Sequence, residues 1–545
     1  MFIKQLFKFF SRKEIFIFSG ALFVFLLSFS LLAANYIKEN TKIVAVSGGE
    51  HREGVLGQPS FINPVLTVSS ADKDLVELLF GDFSGMIDTY KISEDGKSWR
   101  YRLKDGIFWQ DSRPITSDDV IFTVETIQNS DVRSPLFSNW QGVKISRVSE
   151  REVEFNLPAS YSFFNDTVLG LKPIPKHIFA DIPAANLRLS NYNFEPVGSG
   201  PFRFKNLSKR SDGYITSYVL EQSKNYFGPA PYLGEIEFVF FTNEEEMVNA
   251  FNLGAIDGFG LTNPDDLSKI AFTHKISFFK TLKYYAVFFN INAQPALKDK
   301  NVRLALNTAV DKNEIIDKVL KRQATPVSGP LIGGPSGLGS ESSSFDKANA
   351  ILENTGWKWN NKENVRTKEI EKNTVKLEFN LTVPEMPFLI KTAELIRDQW
   401  LKIGVKLNIS VLSLAEINNN IIKNRNYQMI LFGNILGKSP DLFSFWHSSE
   451  RFYPGLNLAL YENKIADSLI ESIRKDFDET KRQSEFMSLQ SLIEQDHPAV
   501  FLYSPDYLYV SKKTLSGVEE SSISSPEERF KNIAQWYIKT ARVFK

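Results

Sequence analysis

The side chains able to do chemistry are spaced for binding rather than for catalysis. The five histidines (His51, His177, His274, His447 and His497) include no pair at metal-ligand spacing, and H-E-x-x-H is absent. The segments Gly198-Ser199-Gly200 and Gly334-Pro335-Ser336-Gly337 fail the G-x-S-x-G nucleophile pattern. No Walker-A loop occurs, and Gly258-Phe259-Gly260 is a fragment of a dinucleotide fingerprint in the wrong context. The chain has no cysteine, which removes disulfides, thiolate zinc sites, cysteine nucleophiles and iron–sulfur clusters. Carboxylates are numerous enough to leave an acidic glycosidase pair open. No metal or cofactor is expected.

What remains is a polar loop beside aromatics, within residues 393–449. An apolar strand over 427–432 runs into Gly433-Asn434, then into a loop with Lys438, Pro440 and Asp441, then into Phe443, Phe445 and Trp446. Such a loop, leaving the end of a buried strand, is where an α/β protein usually binds a ligand. Asp441 suits a helix N-cap as well as a ligand contact. His447 is read first as packed beside Trp446 and satisfied by Ser448 or Ser449. The elements upstream position this loop. Leu395, Ile396, Gln399, Trp400 and Ile403 recur at helical spacing up to Gly404, a residue suited to a left-handed C-cap. Val405, Leu407, Ile409 and Val411 then alternate as in a half-buried strand, and a second helix is expected before 427.

At 545 residues the chain is too long for one core, so two or three lobes are expected. Zero formal net charge argues against nucleic acid as the main partner. Lys4, Lys8, Arg12 and Lys13 precede residues 15–34, which carry no charge. Twenty residues at ~1.5 Å each span about 30 Å, one bilayer core. Basic residues before the span place the N-terminus in the cytoplasm and the rest outside. A cleavable signal would have a shorter apolar core and a small residue where Leu31 or Leu32 stands, so an uncleaved anchor is the reading adopted. Residues 1–34 hold four basic and one acidic residue, leaving a nearly neutral exterior of 60 basic and 63 acidic residues.

Further along, 91–105 reads as a hairpin about Asp95-Gly96, with Trp99, Tyr101 and Leu103 alternating. Thr116 and Asp119 stand at capping-box spacing. Residues 328–344 are a Gly/Pro-rich loop, and 361–373 a charged, solvated one.

The segment SEDGKSWRYRLKDGIFWQDSRPITSDDVIFTVE resembles the signature of the family-5 extracellular solute-binding proteins, the peptide- and nickel-type receptors of ABC importers. Asp95, Gly96, Trp99, Tyr101, Leu103, Gly106, Ile107, Trp109, Pro114, Thr116, Asp119, Val120 and Phe122 carry the likeness, with Asp111-Ser112 where the family normally has Asp-Gly. Further segments match in the family's order. They are the P-V-G-S-G-P-F turn from Pro196, G-A-I-D-G ending at Gly258, the run through Asn290, Val302, Arg303, Ala305, Leu306 and Asp311, and Leu401 to Leu407. The agreement covers nearly everything from about residue 42 onward.

The resemblance implies an α/β, periplasmic-binding-protein-like fold: two main lobes and a peripheral lobe, hinged around a ligand cleft, plus one N-terminal transmembrane helix. The expected division is 1–14 cytoplasmic, 15–34 anchor, 41–75, 195–285 and 501–545 lobe I, 76–194 peripheral lobe, and 286–500 lobe II. It implies a monomeric receptor, not an enzyme, held at the cell membrane with its binding domain outside the cytoplasm. It would deliver oligopeptides or dipeptides to ABC permease subunits. A nickel chelate or sugar as ligand, an anchored sensor or scaffold, and an extracellular hydrolase are the alternatives. Two backbone clamps are implied, Val68, Ser69 and Ser70 on one lobe and Phe432, Gly433 and Asn434 on the other, with Asp441 and Trp446 nearby. Where peptide-binding members hold the peptide's ammonium with an aspartate, this chain has Leu436, and Asp441 is the nearest carboxylate.

Overall fold

A computed structural model describes residues 11–261, 263–332 and 343–545. Most of the basic segment 1–10, and the centre of the loop expected over 328–344, with Gly334 to Gly337, lie outside the described residues.

A helix, Arg12–Asn40, opens the described chain, and none of its residues is buried. Ser11 and Glu14 form a capping box that satisfies its first amides. The helix passes directly into the strand Thr41–Ala45, which pairs antiparallel with Thr540–Phe544, so the two ends of the globular body are stitched together.

The organising element of the body is one long strand, Ala499–Lys512. Its first half pairs with Lys283–Phe289 and Ala324–Pro326, and its second half with Gly258–Leu261 and His274–Thr281. It thereby belongs to both ends of a 13-stranded sheet. One end continues through Met429–Ile435 and Glu378–Pro384 to Lys406–Leu412; the other through Glu50–Leu56, Glu235–Phe241 and Ile215–Gln222 to Phe202–Lys209. The backbone changes from one end to the other at Leu282 and again at Ser504–Asp506. These two passages are bonded to each other. Ser504 Oγ donates to the Thr281 carbonyl (2.8 Å), Thr281 Oγ1 donates to the Pro505 carbonyl (2.6 Å), and Lys280 Nζ meets Asp506 at 2.9 Å.

Both faces of the Lys283–Phe289 sheet are covered, as its near-continuous apolar sequence KYYAVFF requires. Tyr285, Val287 and Phe289 enter a core with Trp357 and Trp400, while Tyr284, Ala286 and Phe288 enter another with Trp446 and Leu489. The period of two sorts one strand into two cores. Helix Pro387–Leu401 lies on the first face, and the pair Lys464–Lys475 and Glu479–Asp496 on the second.

The peripheral lobe is a four-stranded antiparallel sheet in the order Ile87–Ile92, Ser98–Leu103, Glu152–Asn156, Lys144–Ser149. Trp99, Tyr101 and Leu103 are buried while Arg100 and Arg102 between them are exposed, the alternation expected of this hairpin. Gly96 turns it with a left-handed φ of 67°.

The second helix expected before 427 is present but short and irregular, an α-helical turn, Leu414–Glu416, running into a π-helical segment, Ile417–Ile422. One local expectation is corrected. The charged loop over 361–373 is mostly sheet: Lys358–Asn360, Val365–Ile370 and Asn373–Lys376 pair in sequence. Arg366 explains it. Its guanidinium is buried and donates to the carbonyls of Ile403 (3.0 Å) and Trp357 (2.7 Å) and to Asn349 and Glu353. Hydrogen-bond satisfaction fixes this sheet where apolar content is too low to signal it.

Candidate functional site

The strand Met429–Ile435 is flanked by Lys283–Phe289 along its whole length, but Glu378–Pro384 reaches only Met429 and Ile430 on its other side. From Leu431 onward that outer edge pairs with no strand among the described residues. Phe432, Gly433 and Asn434 therefore present an open row of backbone groups, the form of edge to which an extended chain adds. The Asn434 side chain is fixed from below, donating to the Tyr284 hydroxyl at 2.9 Å. At Gly433 a Cβ would stand 2.9 Å from the Tyr285 ring, so a larger residue would displace that ring.

The upstream segment ends a turn and begins a helix. Asn63 Oδ1 accepts from the Val65 amide and the Asn63 carbonyl accepts from the Thr67 hydroxyl, after which Val68 projects into solvent, 65% exposed. Ser69 caps the helix Ser70–Leu79 in a capping box with Asp72. Asp72 also accepts from the amides of Ser60 (2.6 Å) and Phe61 (2.9 Å), locking the turn to the helix start.

Each segment has a cavity beside it. One of about 280 Å³ is lined by Pro64, Thr67, Lys73, Glu77, Trp140 and Lys172. The other, about 220 Å³, is lined by Leu282, Leu436, Gly437, Lys438, Pro440 and Met487. The first holds a buried ion cluster: Lys172 Nζ lies 3.2 Å from Glu77 and 2.6 Å from Asp82, and donates to the Phe80 carbonyl. Burial pushes the Glu77 carboxyl up to about 7, against the pull of Lys172. A carboxyl that holds its proton more tightly when folded contributes stability below its unfolded pKa near 4.5, and loses it as pH rises through 7. Between pH 5 and 8 the wild type is expected to lose up to about 3 kcal/mol that Glu77→Gln retains. Urea midpoints of both proteins at the two pH values check this, and parallel slopes would refute it.

Two residues expected at the ligand are committed elsewhere. Trp446 departs from the expectation: it is fully buried in the core, against Phe288, Tyr461 and Phe501, with its indole N–H toward the Tyr284 hydroxyl at 3.3 Å. A Trp at the end of a helical turn can face either way, and here the core takes it. Asp441 caps the Phe443 amide (3.0 Å), accepts from the Tyr161 hydroxyl (2.9 Å) and pairs with Arg474 at 3.1 Å. Tyr161 follows the last strand of the peripheral sheet and Arg474 lies on Lys464–Lys475, so Asp441 fastens that lobe to the larger one. The guanidinium of Arg474 also stacks over the Tyr161 and Phe443 rings at 5.0 and 4.3 Å. Leu436 is buried, its amide bonded to the Leu282 carbonyl. His447 stacks on Phe443 at 4.3 Å and bonds Ser449 Oγ.

Asp441→Ala is accordingly expected to cost about 1–3 kcal/mol of stability by orphaning Tyr161 and Arg474. Urea unfolding followed by circular dichroism measures it; an unchanged midpoint would mean the contact is idle. Sequence reasoning missed Tyr161, Arg474, Glu77 and Lys172 because each is defined by a partner remote in the chain.

Comparison with known proteins agrees with this architecture. The profile of the family described as bacterial extracellular solute-binding proteins, family 5 (middle), matches residues 84–452. The oligopeptide-binding protein AppA of Bacillus subtilis is 25% identical over 512 residues, 90% of this chain and 92% of that protein. The dipeptide-binding protein of Escherichia coli is 22% identical over 502 residues, 85% of this chain and 90% of its own. Among solved structures, the ABC transporter substrate-binding protein CtaP of Listeria monocytogenes superposes with a TM-score of 0.77 at 25% identity, over 90% of this chain and 99% of that one. The mixed α/β body with its shared central strand, and a profile match across more than half its length, lead to one conclusion: the chain belongs to the bacterial extracellular solute-binding proteins of family 5.

Proposed function

We propose that the chain is a membrane-anchored, monomeric receptor that captures oligopeptides outside the cytoplasm and delivers them to an ABC import permease. The open edge at Phe432, Gly433 and Asn434 carries this reading, because a peptide can add to it through backbone bonds indifferent to side chains. The helix Arg12–Asn40 supports the anchor, being long and apolar enough to cross a bilayer and without any buried residue. The name of AppA, an oligopeptide-binding protein, supports the ligand class. On this reading the paired passages at Leu282 and Ser504–Asp506 are the hinge, and Val68 to Ser70 close onto the ligand from the opposite lobe.

The test is to denature the purified full chain and identify the released small molecules by mass spectrometry. A mixture of short peptides is expected. A single non-peptide ligand in stoichiometric amount would sink the reading.

A further inference from the structure

Where the apolar helix ends, a ribbon of two strands begins, Thr41–Ala45 against Thr540–Phe544, and neither strand pairs with any other among the described residues. Two strands alone are marginal in water. This pair is bonded to the last turn of the helix: the Thr41 hydroxyl donates to the Ile37 carbonyl, and the Lys545 amide donates to the Asn40 carbonyl at 2.9 Å. Residues directly opposite in an antiparallel pair share a face. Thr41 stands opposite Phe544 and Ile43 opposite Arg542, so one face presents Phe544 and Ile43, 69% and 61% exposed, with the exposed Arg542 beside them. Lys42 and Lys545 are exposed at the helix end of the same ribbon.

Height and charge both point to what covers this surface. At ~1.5 Å per residue, residues 35–40 carry the helix about 9 Å beyond its charge-free span, and the headgroup layer on each side of a bilayer core is about 5–8 Å thick. The end of the ribbon where Thr41 meets Phe544 therefore starts at the outer boundary of the headgroups. Tyr36, exposed just beyond the apolar span, is a residue type favoured at that boundary. Residues 35–45 and 538–545 hold five basic side chains (Lys38, Lys42, Lys539, Arg542 and Lys545) and one acidic one, Glu39, leaving 55 basic and 62 acidic of the exterior's 60 and 63. Among the described residues none of the five is in an ion pair. A net positive end on a net negative body turns that end toward an anionic surface, and exposed apolar side chains add to the attraction.

We propose that the ribbon lies on the outer headgroup layer of an anionic bilayer, with Phe544 among the headgroups, Ile43 at their edge, and Lys42, Arg542 and Lys545 against the lipid phosphates. The helix is the tether and the ribbon the footing, and together they set which side of the body turns away from the membrane. This rests on the membrane-anchored reading above and adds the lipid charge that the body meets.

The chain has no cysteine, so a single one can be introduced and spin-labelled. The full chain carries a nitroxide at Phe544→Cys, at Ile43→Cys, which leaves Phe544 in place, or at Leu189→Cys, an exposed control on the peripheral lobe. Each is reconstituted in vesicles of phosphatidylcholine with or without phosphatidylglycerol. Electron paramagnetic resonance reads the access of oxygen, which concentrates in the bilayer, against that of a neutral nickel chelate, which stays in water. With phosphatidylglycerol, the ratio of oxygen to nickel access is expected to be at least about threefold higher at Phe544 than at Leu189, with a smaller rise at Ile43. Omitting phosphatidylglycerol, or combining Lys42→Gln, Arg542→Gln and Lys545→Gln, should lower the Phe544 ratio at least about twofold. Equal ratios at Phe544 and Leu189 would overturn the proposal, as would a raised ratio indifferent to lipid charge and to the three substitutions. Nickel access lost at Phe544 without a gain of oxygen, accompanied by broadening between labels, would assign the ribbon to a second copy of the chain and overturn it too. A label at Phe25→Cys, within the apolar helix, separates this from the anchored reading. Oxygen-rich Phe25 with water-exposed Phe544 removes the footing and keeps the anchor; water-exposed Phe25 removes both.

Discussion

Arg529→Met is expected to lower the unfolding free energy by about 3–5 kcal/mol, the usual cost of removing one partner from a buried ion pair. Arg529 is 3% exposed and reaches Glu53 at 2.8 Å and Asp74 at 2.7 Å, both of them buried. Burial drives both carboxyls upward; the charge of Arg529, with His51 and Tyr509 bonded to Glu53, holds Glu53 below its ordinary value while Asp74 stays raised. Methionine would fill the volume over Phe530, whose ring lies 3.9 Å from the guanidinium, but would strand two carboxylates. The damage should be selective in position. Asp74 sits on the helix that Ser69 caps and Glu53 on Glu50–Leu56, so the start of that helix, with Val68 and Ser69 before it, loses its support first. Urea unfolding of wild type, Arg529→Met, and Arg529→Met with Glu53→Gln and Asp74→Asn tests this. The triple variant should recover part of the loss; a deficit below about 1 kcal/mol in the single variant would remove the network from the account.

Gly198→Ala should cost about 3 kcal/mol, as an overpacked backbone contact does. A Cβ at Gly198 would lie 1.8 Å from the Leu79 carbonyl oxygen, and one at Gly200 would lie 2.4 Å from that of Leu78. The contact is close because this turn caps the end of the helix Ser70–Leu79: the amides of Ser199 and Gly200 both donate to the Leu79 carbonyl, at 3.0 and 2.8 Å. Gln110 joins it, exchanging bonds with the amide and carbonyl of Gly198. No side-chain motion relieves a backbone clash, so the helix end must move. Gly170→Ala is the control, since its Cβ would meet nothing nearer than 3.4 Å. Thermal melts of the two variants should differ by several degrees; equal melts would mean that the turn yields without cost.

These two sites mark how far the chain can be read without coordinates. Pro196 to Phe202 announces a tight turn, because two glycines one residue apart say that some backbone must approach closely. Which backbone approaches, that of Leu79, is beyond sequence reasoning. The hairpin at Trp99, Tyr101 and Leu103 was legible because local alternation and a turn dipeptide agree. The network of Arg529, Glu53 and Asp74 was not, since Arg529 lies more than 450 positions from both carboxylates and all three look like ordinary surface charges. The site divides the same way. The apolar run before Gly433 signals a buried strand, while the open edge beyond Ile430 depends on where Glu378–Pro384 stops. Trp446 and Asp441 were drawn to the ligand by proximity in sequence, and tertiary partners claimed both.

If the apolar helix is a membrane anchor, its join to the body sets how far the protein can travel. A helix of 29 residues is about 43 Å long, so about 13 Å, some two turns, clears a bilayer core of ~30 Å. No linker follows, because Thr41 begins a strand locked to Thr540–Phe544. On the anchored reading the cleft rides at a fixed height, turning with its tether instead of swinging on a leash. Its search for a permease then becomes lateral diffusion in the plane of the membrane.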